Sequence, residues 1–189
     1  GCVNAVSMAT AKVDVTQLPG TVEDFVALRD GTATTPEGGA VMMILALMAF
    51  VRNPEERYGR DALTIAVDRS RLTPNAAGYK AWSLTARDMD HIKHQLVGKP
   101  WVLNSYVTGT CPEAGYALPQ PPYTFHLTRN PYSGSEETGR IKVFVASSGA
   151  SSPRPVTLVS NNRGIWKAIE WSSLTVGVAP PSQGVDDDL

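Results

Sequence analysis

The spacing of hydrophobic and polar positions changes near the middle of this chain. Apolar residues recur at helical intervals in the N-terminal half and at every second position in much of the C-terminal half. The longest apolar stretch, residues 40–51, lies unbroken between Thr35-Pro36-Glu37 and Arg52-Asn53-Pro54. A bilayer span needs roughly 20 such residues, so this stretch predicts a helix buried in a protein core and no transmembrane segment. Thr35 as N-cap and Pro36 at the first helical position mark its start. Asn53, disfavoured from helical geometry by the proline after it, marks its end, giving a helix over about 36–52.

Upstream, Lys12-Val13-Asp14-Val15 alternates like a short strand. Thr21 with Asp24 three residues on, ahead of Phe25, Val26 and Leu28, then predicts a short amphipathic helix. Downstream, Asn53-Pro54-Glu55-Glu56 predicts the capped start of a third helix with Ala62, Leu63, Ile65 and Ala66 inward, making a helical hairpin of residues 36–67. A loop is expected over 68–79, where Pro, Asn and Gly cluster. Thr85-Ala86-Arg87-Asp88 opens a polar helix that runs to about Leu96 and stops at Gly98. From Trp101 onward, period-two patterns predict strands over 102–107, 123–128, 141–146, 156–159 and 165–171. Asn161-Asn162-Arg163-Gly164, residues that tolerate positive φ, predict a β-hairpin between the last two.

Helices followed by strands define an α+β fold, with N-terminal helices, including the buried apolar one, packed on a mainly antiparallel C-terminal sheet. Residues 18–181 read as a single domain, 1–17 as an N-terminal extension with a short strand, and 182–189 as a disordered acidic tail. At 189 residues and 42% hydrophobic content, the chain can build one sizeable core. Its net charge of -1 offers no basic excess, so nucleic acid is not an expected partner. Two cysteines, Cys2 and Cys111, are too few for a disulfide framework and leave a single bridge between them open. A cytoplasmic location is the expectation, with export or lipid anchoring the alternative if Gly1-Cys2 marks a processed terminus.

Candidate chemistry is sparse. His91 and His94, near Asp88 and Asp90 on the polar helix, lack the His-Glu-x-x-His spacing and a third ligand, so a solvated helix face is expected and no metal. No nucleophile elbow or phosphate-binding loop is present, and Cys111 has no identifiable neighbour that would lower its pKa. Five residues remain as ligand-binding candidates. Arg154, between two prolines, can present a fork to a carboxylate or phosphate, or tie a loop to backbone carbonyls. His126, between Phe125 and Leu127, would serve as a base only if the sheet curves around a cavity. Lys167 beside Trp166, together with Tyr106 and Tyr116, could line a pocket or belong to the packing. No catalytic set assembles, and no cofactor is expected.

Thr35-Pro36-Glu37-Gly38 leading into Ala46-Leu47, Asn53-Pro54 followed by Ala62-Leu63-Thr64, Ser105-Tyr106 with Gly109, and Gly115-Tyr116 make up the first half of a recognisable pattern. Its second half is Arg154-Pro155, Gly164-Ile165-Trp166-Lys167 and Trp171-Ser172-Ser173-Leu174. Together they resemble a bacterial domain family of unknown function, a resemblance spanning about Leu18 to Pro181. It implies a compact domain and carries no activity, cofactor or catalytic residue. At the level of pattern the chain is also similar to the cone-shaped nuclear-transport-factor-2-like fold, in which helices close over a curved sheet.

The sequence therefore leads to the expectation of a small binding or protein-interaction module without catalytic activity, its partner a protein or small molecule. The alternative is a small-molecule-binding protein or enzyme with a pocket between the helical hairpin and the sheet. A third reading is a structural or regulatory subunit whose exposed aromatic surface needs a partner chain.

Overall fold

A computed structural model of the chain describes Cys2 and residues 11–182. The expected acidic run Asp186 to Asp188 lies outside the described residues. Three of the helices begin as the sequence predicts, on threonine caps. Thr21 Oγ1 accepts from Asp24 N at 3.1 Å ahead of α1 (Val22–Thr32), and Thr35 Oγ1 from Gly38 N at 3.0 Å ahead of α2 (Pro36–Arg52). Thr85 Oγ1 accepts from Asp88 N at 3.1 Å ahead of α4 (Ala86–Leu96). Each cap satisfies an amide that the first helical turn would leave unpaired.

α2 is apolar on every side and is accordingly enclosed on every side, with all residues from Pro36 to Phe50 buried. One flank meets α3 (Arg57–Ala66) and another meets the sheet. Two glycines let the backbones approach. A Cβ on Gly39 would lie 2.7 Å from the Trp166 carbonyl oxygen, and one on Gly59 would lie 2.4 Å from Phe50 Cα. The start of α2 is fixed by charge, because Glu37 is only 7% exposed and needs a partner. Arg129 supplies it with two N–H···O bonds of 2.8 Å, one to each carboxylate oxygen, and reaches Glu136 at 3.0 Å.

The main sheet has the order β1-β4-β5-β6-β7, every neighbouring pair antiparallel. Its strands are β1 (Ala11–Val15), β4 (Tyr123–Thr128), β5 (Arg140–Val145), β6 (Arg154–Ser160) and β7 (Trp166–Glu170). β1 is thus built into the sheet as its edge. The predicted hairpin joins β6 to β7, with Asn161 Oδ1 accepting from the amides of Arg163 and Ile165 and Gly164 at φ +75°. Inward positions such as Phe125, Leu127, Ile141, Val143, Val156 and Leu158 are fully buried. Outward positions on β1 and β5, including Lys12, Asp14, Arg140 and Lys142, are exposed. The free edge of β7 is closed by a parallel bridge to Val67 and by bonds from Asp68 N to Ala168 O and from Trp166 N to Ala33 O. The observed fold is α+β as expected.

Three local expectations are corrected. Residues 102–107 are not a strand: they continue from the short helix α5 (Trp101–Asn104) into turns, and Val102, Leu103, Tyr106 and Val107 are buried there by turn geometry. The expected loop at 68–79 holds a 3-10 turn and the strand β2 (Leu72–Tyr79), which pairs with β3 (Trp82–Leu84) through a bulge between Pro74 and Tyr79. α3 starts at Arg57 behind Glu56 with no side-chain cap, because Asn53 closes α2 and gives its carbonyl to Glu56 N.

The close approach at Gly59 yields a prediction opposite in sign to helix propensity, which favours alanine by about 1 kcal/mol. Gly59→Ala destabilises the domain by about 1–3 kcal/mol in urea unfolding, since the new methyl forces α2 and α3 apart. Equal or greater stability of the variant would contradict that packing.

Candidate functional site

Three of the five candidate residues converge, and what they converge on is the chain's own C-terminal segment. Arg154, on β6, donates from Nε to Ser173 O at 2.9 Å and from Nη2 to Val176 O at 2.8 Å. Tyr106 donates its hydroxyl to Leu174 O at 2.7 Å, and Tyr116 to Ala179 O at 2.6 Å. Both tyrosines are at most 1% exposed. Burial raises the pKa of each, more than the neighbouring Arg154 offsets at Tyr106 and with the Glu113 charge adding to it at Tyr116. The tyrosines therefore act as neutral donors and Arg154 as a charged one, and together they pin residues 173–179.

The other two stand apart. Lys167, on β7, donates to the Ile65 carbonyl near the end of α3. Burial pushes its pKa down to about 8, helped by Arg29 and Lys80 and opposed by Asp68 and Asp30. His126 lies on β4 opposite Lys12, on the face away from Phe125 and Leu127 as the alternation requires. Its Nδ1 is buried without a hydrogen-bond partner among the described residues. His91 is half-buried and meets Thr175 Oγ1 at 2.9 Å, so it is not simply a solvated residue; among the described residues no group of His, Cys, Asp and Glu could hold a metal. Cys2 and Cys111 are joined in a disulfide.

Of the helical hairpin beside which the alternative reading expects a pocket, α2 is buried from Pro36 to Phe50. Open space is found on the outside: one depression of about 600 Å³ lies against α3 and the β2–β3 pair, one of about 510 Å³ beside the C-terminal end of α2, and two more around the end of β7. Of the last two, one of about 780 Å³ is lined by Tyr132, Arg140, Lys142, Thr157, Glu170 and neighbours. The other, of about 580 Å³, is lined by Arg71, Arg87, Asp88, His91, Glu170 and neighbours. They share Glu170, Trp171 and Ser172 as a common wall. That wall continues into the 3-10 turn Ser172–Thr175, the segment that Arg154 and Tyr106 grip from behind. Arg154 and Tyr106 thus shape this surface without lining it.

The residues that do line it are not among the five candidates. The alternation Arg140-Ile141-Lys142-Val143 already places two cations on one outward face, since side chains two apart on a strand share a side. Arg71, Arg87 and Tyr132 carry no such local signal. Tyr132 is 92% exposed at the tip of a β4–β5 loop fixed by Asn130, which accepts from Tyr132 N at 2.8 Å, and by Ser133 O accepting from Lys142 N.

An α+β domain with a closed core and polar external depressions is the class that this geometry defines. Residues 17–182 match a family described as a domain of unknown function (DUF6935), and the chain belongs to that family. No curated protein and no solved structure matches the chain, so the similarity to the nuclear-transport-factor-2-like fold gains no support.

The lowered Lys167 pKa fixes a direction for stability against pH. Between about pH 8 and the ordinary lysine value of 10.5, the folded chain has released this proton while the unfolded chain still holds it, so stability rises with pH across that window. The raised tyrosine values act oppositely above about pH 10. Urea midpoints measured from pH 7.5 to 9.5 increase for the parent and stay flatter for Lys167→Met; identical slopes would contradict the burial of this amine.

Proposed function

We propose that the domain is a binding module without catalytic activity and that its contact surface is the pair of depressions around Glu170, Trp171 and Ser172. One observation carries this reading: polar groups are divided between two duties. Arg154, Tyr106, Tyr116 and Lys167 are spent on backbone carbonyls. Arg140, Lys142, Arg71 and Arg87 are exposed beside the depressions, without an ion pair among the described residues. A catalytic site needs groups converging on a reacting atom, and a binding face needs groups left available to a partner.

The compartment belongs to the same reading. A Cys2–Cys111 disulfide persists in oxidising surroundings and is reduced in the cytosol, so it supports an exported domain over the cytoplasmic expectation. Cell fractionation with thiol trapping reads this directly: an oxidised protein outside the cytosol is expected, and a reduced cytosolic one would overturn the export reading.

The binding surface is tested by titrating the oxidised, ¹⁵N-labelled domain with a panel of charged and polar small molecules and short peptides. Ligands are expected to shift the amides of Lys142, Glu170 and Ser172 and the Trp171 indole N–H. A panel whose hits move only amides elsewhere, or which produces no hit, would contradict the assignment.

A further inference from the structure

The two depressions differ in charge from the chain that carries them. Arg140 and Lys142 border one, and Arg71 and Arg87 border the other, whereas the acidic residues lining them are Glu170, in the shared wall, and Asp88. Four cations against two carboxylates make a local positive excess on a chain whose net charge is -1. Drug-sized ligand sites run about 300–1,000 Å³. Adjoining spaces of about 780 and 580 Å³ exceed what one such molecule fills, so a ligand touching both is extended.

Resting on the binding reading above, we infer that the partner is an extended peptide segment with acidic residues at both ends and a cationic residue between them. The flanking carboxylates lie against Arg140 and Lys142 on one side and Arg71 and Arg87 on the other. Arginine offers a carboxylate a two-pronged set of donors, and lysine a compact charge. The central cation sits over Glu170, whose exposed carboxylate divides the two depressions and has no ion-pair partner among the described residues. Tyr132, standing free at the rim, offers an apolar ring to the segment's backbone or side chains. A nucleic acid or an anionic lipid surface fits less well. Their uninterrupted negative charge would meet Glu170 in the middle of the contact and Asp88 beyond it, at a cost that an alternating peptide avoids.

The test uses the oxidised domain and a fluorescein-labelled, end-capped peptide of the pattern Asp-Glu-Gly-Lys-Gly-Glu-Asp, read by fluorescence anisotropy. Replacing the peptide's acidic residues by Asn and Gln is expected to weaken binding at least tenfold. Lys142→Glu and Arg87→Glu are each expected to do the same with unchanged thermal melting, because both side chains are exposed and unpaired. Glu170→Lys supplies a charge swap: it loses the Lys-centred peptide and gains one with Glu at the centre. Equal binding of the neutral peptide, indifference to these variants, or tighter binding of an oligonucleotide or anionic vesicles would overturn the inference. Should the peptide fail while other compounds still shift the amides of Lys142, Glu170 and Ser172, only the peptide inference falls. Should nothing shift them, the binding reading falls as well.

Discussion

α2 is buried from Pro36 to Phe50, and the placement of the surrounding elements follows from the need to cover it. A helix apolar around its whole circumference has no face that water can solvate cheaply, and each large side chain it buries is worth roughly 1.5–3 kcal/mol. One layer cannot cover such a cylinder. The sheet takes one side, α3 another, and α1, α4 and α5 contribute to the remainder. From this follow the small residues at the closest approaches, Gly39 against Trp166 and Gly59 against Phe50. The charged partner at the N-terminal end follows too. Glu37 falls within the enclosed region, and a buried carboxylate persists only when a cation and its donors are supplied. Arg129 comes from the far end of β4 to do so, and this draws the β4–β5 loop against the helix start.

A second consequence concerns the polar residues. Once α2 is covered, the segments that lack regular partners must find donors and acceptors elsewhere. The stretch from Ser173 to Ala179 is the clearest case. Besides short turns and a bond from Ala179 N to Gly149 O, it is held by side chains reaching across from β6, from α4 and from the turns after α5, through Arg154, His91, Tyr106 and Tyr116. These hydroxyls and this guanidinium do not present themselves to a ligand. What they achieve is to fix the wall Trp171-Ser172-Ser173, and with it the shape of the two depressions outside. The disulfide works in the same spirit at the other end of the chain, tying Cys2 to the turn that leads into Tyr116.

Much of this was legible in the sequence, and the failures have physical causes. α2 announced its length, cap and stop within its own residues, as did α1, α4 and the Asn161–Gly164 turn, because each is governed by contacts only a few positions apart. Residues 102–107 misled because Val102, Leu103, Tyr106 and Val107 are apolar and β-compatible, while the helix that begins the segment is too short to show its period. Pro74, Asn75 and Gly78 made β2 look like a loop. It is an irregular strand whose bulge accommodates them. Arg154 stands out in the sequence between its two prolines, but its acceptors lie 19 and 22 positions away and no local pattern names them. The outward cations on β5 were readable from alternation alone. Their convergence with Arg71 and Arg87 depends on how β7 meets the α3–β2 connection, which is a tertiary fact.

Native-state hydrogen exchange of the oxidised domain tests whether α2 is the element around which everything else closes. Amides in the middle of α2, from Met43 to Leu47, are expected to exchange only through global unfolding, with an opening free energy equal to the stability measured in urea and matched by Val143 and Val156 in the sheet. Exchange of those α2 amides through a smaller, local opening while β5 and β6 stay protected would contradict it.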